Sequence, residues 1–316
     1  MNEIVQRFFS KRCLSTEMQL NRYVESAVEI MQLASEEVSL LIDLHVERVE
    51  DRPAFLVLHD MYFKCEEFTS GALAAFLIAH IGSAEALCRT AVESAVNLYY
   101  VSLGDDLANV LAYFKNYLVT ERKQNQQWLK SVEDSSHSND EKAYHKGLIA
   151  KKDETLDYYE EALRGSLAVI DINYDAYTDS WPSVFDRFTK LGKEIDYRTI
   201  YAALCSQAHN DAEDVLNNLM ARVIPVEGYA HSVEIERYTF SLNMVMTSIC
   251  FYLEASAMFL AKYEVPITET IVPLWSRTME LAREHTSVAE HTILAAVRKA
   301  SQSNDAQMSG RSHGSV

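Results

Sequence analysis

Apolar positions along this chain recur at steps of three and four for most of its length, the spacing of helices that bury one stripe and solvate the rest. Residues 1–13 read as a short amphipathic helix. Ser15 and Thr16 offer a cap for a long helix reaching about residue 50, which the Asp51-Arg52-Pro53 step breaks. A further helix is expected over 54–67, with a joint at Thr69-Ser70-Gly71. The run 71–102 then reads as one apolar helix crossed by a single polar ladder, Glu85, Arg89, Glu93 and Asn97, each four residues after the last. A helix so apolar belongs in the middle of a bundle, where charges must find partners.

Gly104 is expected to close that helix. Two polar helices follow, to about residue 130 and over 141–163, around the loop Ser135–Asp140. They predict a projecting, strongly charged helical hairpin over 105–164. Residues 166–181 read as an irregular connection, and a helix opening at Pro182 is closed by Gly192. One or two helices are expected over 198–223, then 234–263, 268–285 and 288–300. The polar segment 301–316 reads as a disordered tail. The fold class is therefore all-α: a single multi-helix bundle over residues 1–300.

Composition agrees, with only 9 Gly and 5 Pro in 316 residues, too few for a turn-rich β chain. The formal charge of −17 argues against broad DNA or RNA binding through a basic surface. Five scattered cysteines without a Cys-x-x-Cys pair fit reduced thiols in a cytoplasmic protein. Residues 240–261 are long enough to span a membrane. They carry Glu254 and several hydroxyl side chains, however, so a buried bundle helix is the reading and no membrane partner is expected.

The second polar-studded helix brings Arg198, Tyr201, Cys205, Ser206, His209, Asn210 and Glu213 onto one broad face. Packed against the Glu85–Asn97 ladder, it would form an Arg/Glu/Ser/His cluster. Arg89, Glu93, Ser206 and His209 are the candidate catalytic residues, with Glu85, Asn97, Arg198, Tyr201, Asn210 and Glu213 as binding residues. Such a cluster could hold a general base with a perturbed pKa, or it could only fix packing register, with Arg89 and Glu93 satisfying each other. No Glu-x-x-His occurs, so a di-iron bundle is disfavoured, and neither metal nor cofactor is expected. Phosphate-loop, dinucleotide-fold and hydrolase-elbow motifs are absent.

At these residues the chain resembles a known family. The pairing of CRTAVESAVNLYY with YRTIYAALCSQAHNDAED looks like the bacterial domain-of-unknown-function family numbered 5677, over roughly residues 70–220. That family is helical, and the resemblance implies that Arg89, Glu93, Ser206 and His209 face each other. More remotely the layout is similar to HEPN helical domains, many of them metal-independent ribonucleases of toxin and phage-defence systems. Their Arg and His meet at a homodimer interface. The chain departs from their spacing: ten residues separate Arg198 from His209, and the one match is Arg52-x6-His59, with Pro53 next to the Arg and a His59 that reads as solvent-facing. The leading expectation is a bacterial defence or stress protein whose cluster cleaves RNA, as the HEPN likeness implies, or binds another ligand. The competing expectation is a protein-interaction module whose polar cluster is structural.

Overall fold

The computed structural model describes residues 21–49, 54–104, 107–208, 212–223, 229–267 and 271–311, with isolated positions such as Arg52 beside them. For Arg48, residues 206–208, 212–214, 217, 218, 221 and 292–311 the description extends to the backbone only. The short helix and the Ser15-Thr16 cap expected near the N-terminus lie largely outside it.

The protein is all-α, a multi-helix bundle without strands among the described residues. α1 (Arg22–Val49) is capped by Asn21, whose side-chain oxygen accepts from the backbone N–H groups of Tyr23 and Val24 at 2.9 and 3.1 Å. α2 (Phe55–Leu77) and α3 (Ile81–Leu103) follow. α4 (Ala108–Asp134) and α5 (Asn139–Val169) lead through a 3-10 turn at Tyr174–Ala176 to α6 (Val184–Lys190). α7 (Glu194–Asp196) runs into a π-helical turn at Tyr197–Tyr201 and then α8 (Ala202–Ala208). α9 (Ala212–Val223), α10 (Tyr229–Lys262) and α11 (Ile271–Arg311) complete the order. α11 carries helical backbone into the segment read from composition as a tail.

The apolar run 71–102 is two helices, not one. α2 passes through the expected joint at Thr69-Ser70-Gly71 because the two hydroxyls bond back along the helix, Thr69 to the Cys65 carbonyl and Ser70 to that of Glu66, both at 2.8 Å. The break falls instead at Ala79, whose φ of 62° turns the chain out of the helix. There the N–H of Ala79 reaches the Phe76 carbonyl and that of His80 the Ala75 carbonyl, so the last turn is satisfied without a glycine.

The chain divides into two compact units. One comprises residues 1–51, 58–102 and 184–316; the other comprises 52–57 and 103–183. In the first, α10 is the core helix. Its apolar stretch is the one among the described residues long enough to cross a membrane, and 72% of that stretch is buried within the chain. Its mid-helix charge is paired: Lys193 Nζ lies 2.6 Å from one Glu254 oxygen, and the Trp275 indole donates to the other at 3.0 Å. Tyr62 and Tyr252 share a buried hydrogen bond of 2.9 Å beside Phe259.

In the second unit α4 and α5 form an antiparallel hairpin, as the ascending and descending partners show. Arg122 meets Asp157 and Glu160 at 2.9 and 2.8 Å, Asn125 meets Asp153 at 2.6 Å, and Lys146 meets Glu133 at 3.1 Å. Ser138 and Glu141 close a capping box at the start of α5.

Candidate functional site

The polar ladder on α3 is shared between two neighbours. Glu85, only 3% exposed, accepts a hydrogen bond from Ser241 of α10 and so faces the core helix. Arg89 and Glu93 face the stretch 197–205 and α6. The expected Arg89–Glu93 pair is not made directly; Tyr201 stands between them. Arg89 Nη2 donates to the Tyr201 hydroxyl at 3.4 Å, with its guanidinium carbon 5.6 Å from the ring centroid. The hydroxyl donates to Glu93 Oε2 at 2.6 Å. Arg89 Nε also donates to the Cys205 sulfur at 3.2 Å. Burial and the Glu93 carboxylate push the Tyr201 phenol well above its usual pKa, so it stays protonated and remains a donor. Asn97 continues the row, and its carbonyl oxygen is buried without a hydrogen-bond partner.

α6 contributes residues that the sequence reading passed over. Arg187, 4% exposed, lies 3.9 Å from Glu93 Oε1. One turn on, Lys190 donates to the Tyr100 hydroxyl at 3.2 Å, so the three-residue step on α6 runs beside the seven-residue step from Glu93 to Tyr100 on α3. The signal was present as Arg187 and Lys190 three apart on α6, with Lys193 three further on beyond its end, but cations at that spacing on so short a helix name no partner.

The cluster is not sealed. The Glu93 side chain is 33% exposed, Arg89 is half-buried, and Lys190 is exposed, over a Tyr201 that is 5% exposed. Arg89, through Tyr201, and Arg187, at 3.9 Å, share the Glu93 carboxylate, and Lys190 stands further along the same face at Tyr100, so this stretch of a strongly acidic chain is a cation-rich niche.

The π-helical turn decides which residues join. Its wider turn closes with the Ala202 N–H on the Tyr197 carbonyl and separates residues that an α-helix would align. Tyr201 points into the cluster, whereas the Arg198 side chain is 63% exposed and lies over Phe185 and Tyr197, with Glu194 at 3.9 Å. Ser206 and Glu213 lie on helical backbone with side chains outside the description, and His209 and Asn210 fall outside the described residues. His59 is half-buried rather than solvent-facing, its ring edge-on to Phe63 at 4.6 Å, and burial lowers its pKa.

Residues 62–222, half of the chain, match the model of a family of unknown function, DUF5677. The chain belongs to this family. No curated protein and no solved structure matches it. The DUF5677 segment contains Arg89, Glu93, Arg187, Lys190, Tyr201 and Cys205, and thus every described residue of the niche. It ends before α10 and α11, which supply Ser241, Glu254 and Trp275. Among the described residues, no group of three or more His, Cys, Asp or Glu is placed to hold a metal ion.

Proposed function

We propose that the niche between α3, α6 and the π-helical turn binds a phosphate ester, and that its chemistry is metal-independent cleavage of RNA. The observation that carries this reading is the excess of cations over carboxylates in a half-open cluster of a chain with formal charge −17. The remote resemblance to HEPN ribonucleases supports it, and His209, which follows Tyr201 by eight residues in the sequence, is the base this reading assigns. On this reading Arg89 carries the negative charge that develops on phosphorus, and Tyr201 and Glu93 hold the guanidinium in place. His209 takes the proton from the 2′-hydroxyl as its oxygen bonds to phosphorus; the bond from phosphorus to the 5′-oxygen breaks, that oxygen takes a proton from water and leaves as a 5′-hydroxyl, and a 2′,3′-cyclic phosphate remains. A cytoplasmic location, a homodimer and a bacterial defence or stress role belong to the same proposal.

A second reading is favoured by the pairing within the cluster. Arg89, Tyr201, Glu93 and Arg187 form an unbroken chain of polar contacts, as a network that only fixes helix register would. In that case the partner is a protein.

Labelled tRNA and total RNA, incubated with wild type and His209→Gln with and without chelator, separate the two. Chelator-insensitive cleavage by wild type, absent in an equally folded His209→Gln, is the expected result. No cleavage by wild type would leave the interaction module standing.

A further inference from the structure

Beside the niche lies a second arrangement that the cleavage reading does not use. The Arg198 guanidinium lies over aromatic rings, its carbon 4.8 Å from the Phe185 centroid and 5.7 Å from that of Tyr197. The rings beneath are fixed: Tyr197 meets Phe185 edge-on at 5.0 Å and Phe188 edge-on at 5.5 Å. Tyr197 also stacks on Tyr201 at 5.5 Å with 27° between the planes. Tyr201 in turn carries Arg89. A continuous row therefore leads from an exposed guanidinium, through two tyrosines, to the cationic niche. The row runs through the π-helical turn, in which Tyr197 stacks on Tyr201 while Arg198 is turned outward. Such turns are rare and concentrate at functional sites.

A planar guanidinium that lies over aromatic rings while most of its side chain is in water offers a cationic platform. Unpaired nucleobases stack on such planes and on aromatic rings, whereas a duplex keeps its bases engaged with each other. Resting on the phosphate-niche reading, we infer that Arg198 is a shelf for an unpaired base, and that the substrate is single-stranded RNA whose phosphates run along Arg89, Arg187 and Lys190. The shelf gives the site a preference for unpaired segments such as loops and ends. Glu194 lies 3.9 Å from Arg198 as an exposed, weak ion pair.

The test is fluorescence anisotropy on the full chain with a labelled, 2′-O-methylated oligoadenylate, which cannot be cleaved, against a duplex of the same length. Unlabelled polyphosphate serves as competitor. Wild type is expected to prefer the single strand. Arg198→Ala and Arg198→Lys should each weaken single-strand binding on the order of tenfold, within the range of one lost base-stacking contact, and leave polyphosphate competition unchanged. Lysine keeps the charge and loses the plane, so its failure to substitute is the signature of stacking. If polyphosphate and RNA bind but Arg198→Lys holds the single strand as tightly as wild type, the shelf is refuted and the niche survives. If wild type binds neither polyphosphate nor RNA, the niche itself falls, and the shelf with it.

Discussion

The Tyr201 phenol accepts from one guanidinium and donates to a carboxylate, so a single oxygen links Arg89 to Glu93. Tyr201→Phe removes that oxygen without disturbing the ring stack on Tyr197 and Phe188. The loss should cost about 1–2 kcal/mol of unfolding free energy, the scale of a partly buried hydrogen bond to a charged group. Glu93→Gln should cost less, because its carboxylate is part-exposed and retains Arg187 nearby only as a long ion pair. The double variant should lose less than the sum of the two, since both break the same bond. Urea melts of the four proteins check this; strict additivity would mean that the 2.6 Å contact contributes nothing in solution. At this scale the sequence was half informative. Four-residue spacing placed Arg89 and Glu93 on one face of α3 correctly. The same spacing put Tyr201 on the facing helix but set Arg198 beside it, because residues three apart read as neighbours until the π-helical turn separates them.

Helix ends decided where the element reading failed. Four helical segments end in the same motif, with the final N–H groups bonded back to carbonyls one turn earlier: at Ala79, Asp171, Gly192 and Glu264. All four have positive φ, at 62°, 56°, 71° and 58°. Only Gly192 advertises its conformation in the sequence, and that helix end was legible. Ala79 and Glu264 carry side chains that ordinarily avoid this region, and the Thr69-Ser70-Gly71 cluster that looked like a joint sits inside α2. The site followed the same rule: α3 was legible because its ladder interrupts an apolar run, while α6 was passed over because cations on a short helix look like surface. Ala79→Gly should stabilise the protein by about 0.5–1 kcal/mol, relief of left-handed strain outweighing the added freedom of the unfolded chain. A rise in the thermal midpoint checks it. A fall would mean that α2 and α3 are held apart by packing rather than by the turn.

For the whole molecule, the governing quantity is a formal charge of −17 set against a small cationic niche. Long-range repulsion opposes the approach of any polyanion, and added salt relieves it. Local contacts between cations and phosphates act the other way, because each releases counterions whose return is favoured at high salt. Arg89, Arg187 and Lys190 can neutralise at most three phosphates, which for a single strand corresponds to a slope of about −2 in log affinity against log salt. Relief of repulsion makes the net slope shallower than that. Anisotropy titrations of the 2′-O-methylated single strand from about 50 to about 200 mM salt should therefore show only a modest loss of affinity, far from the steep losses of proteins that coat nucleic acid with a basic face. Lys190→Ala should flatten the slope further, by somewhat under one unit. A wild-type slope much steeper than −2 would place the contacts on some other, more extensive basic surface. A slope that Lys190→Ala leaves unchanged would remove α6 from the site and return Arg187 to a purely structural partnership with Glu93.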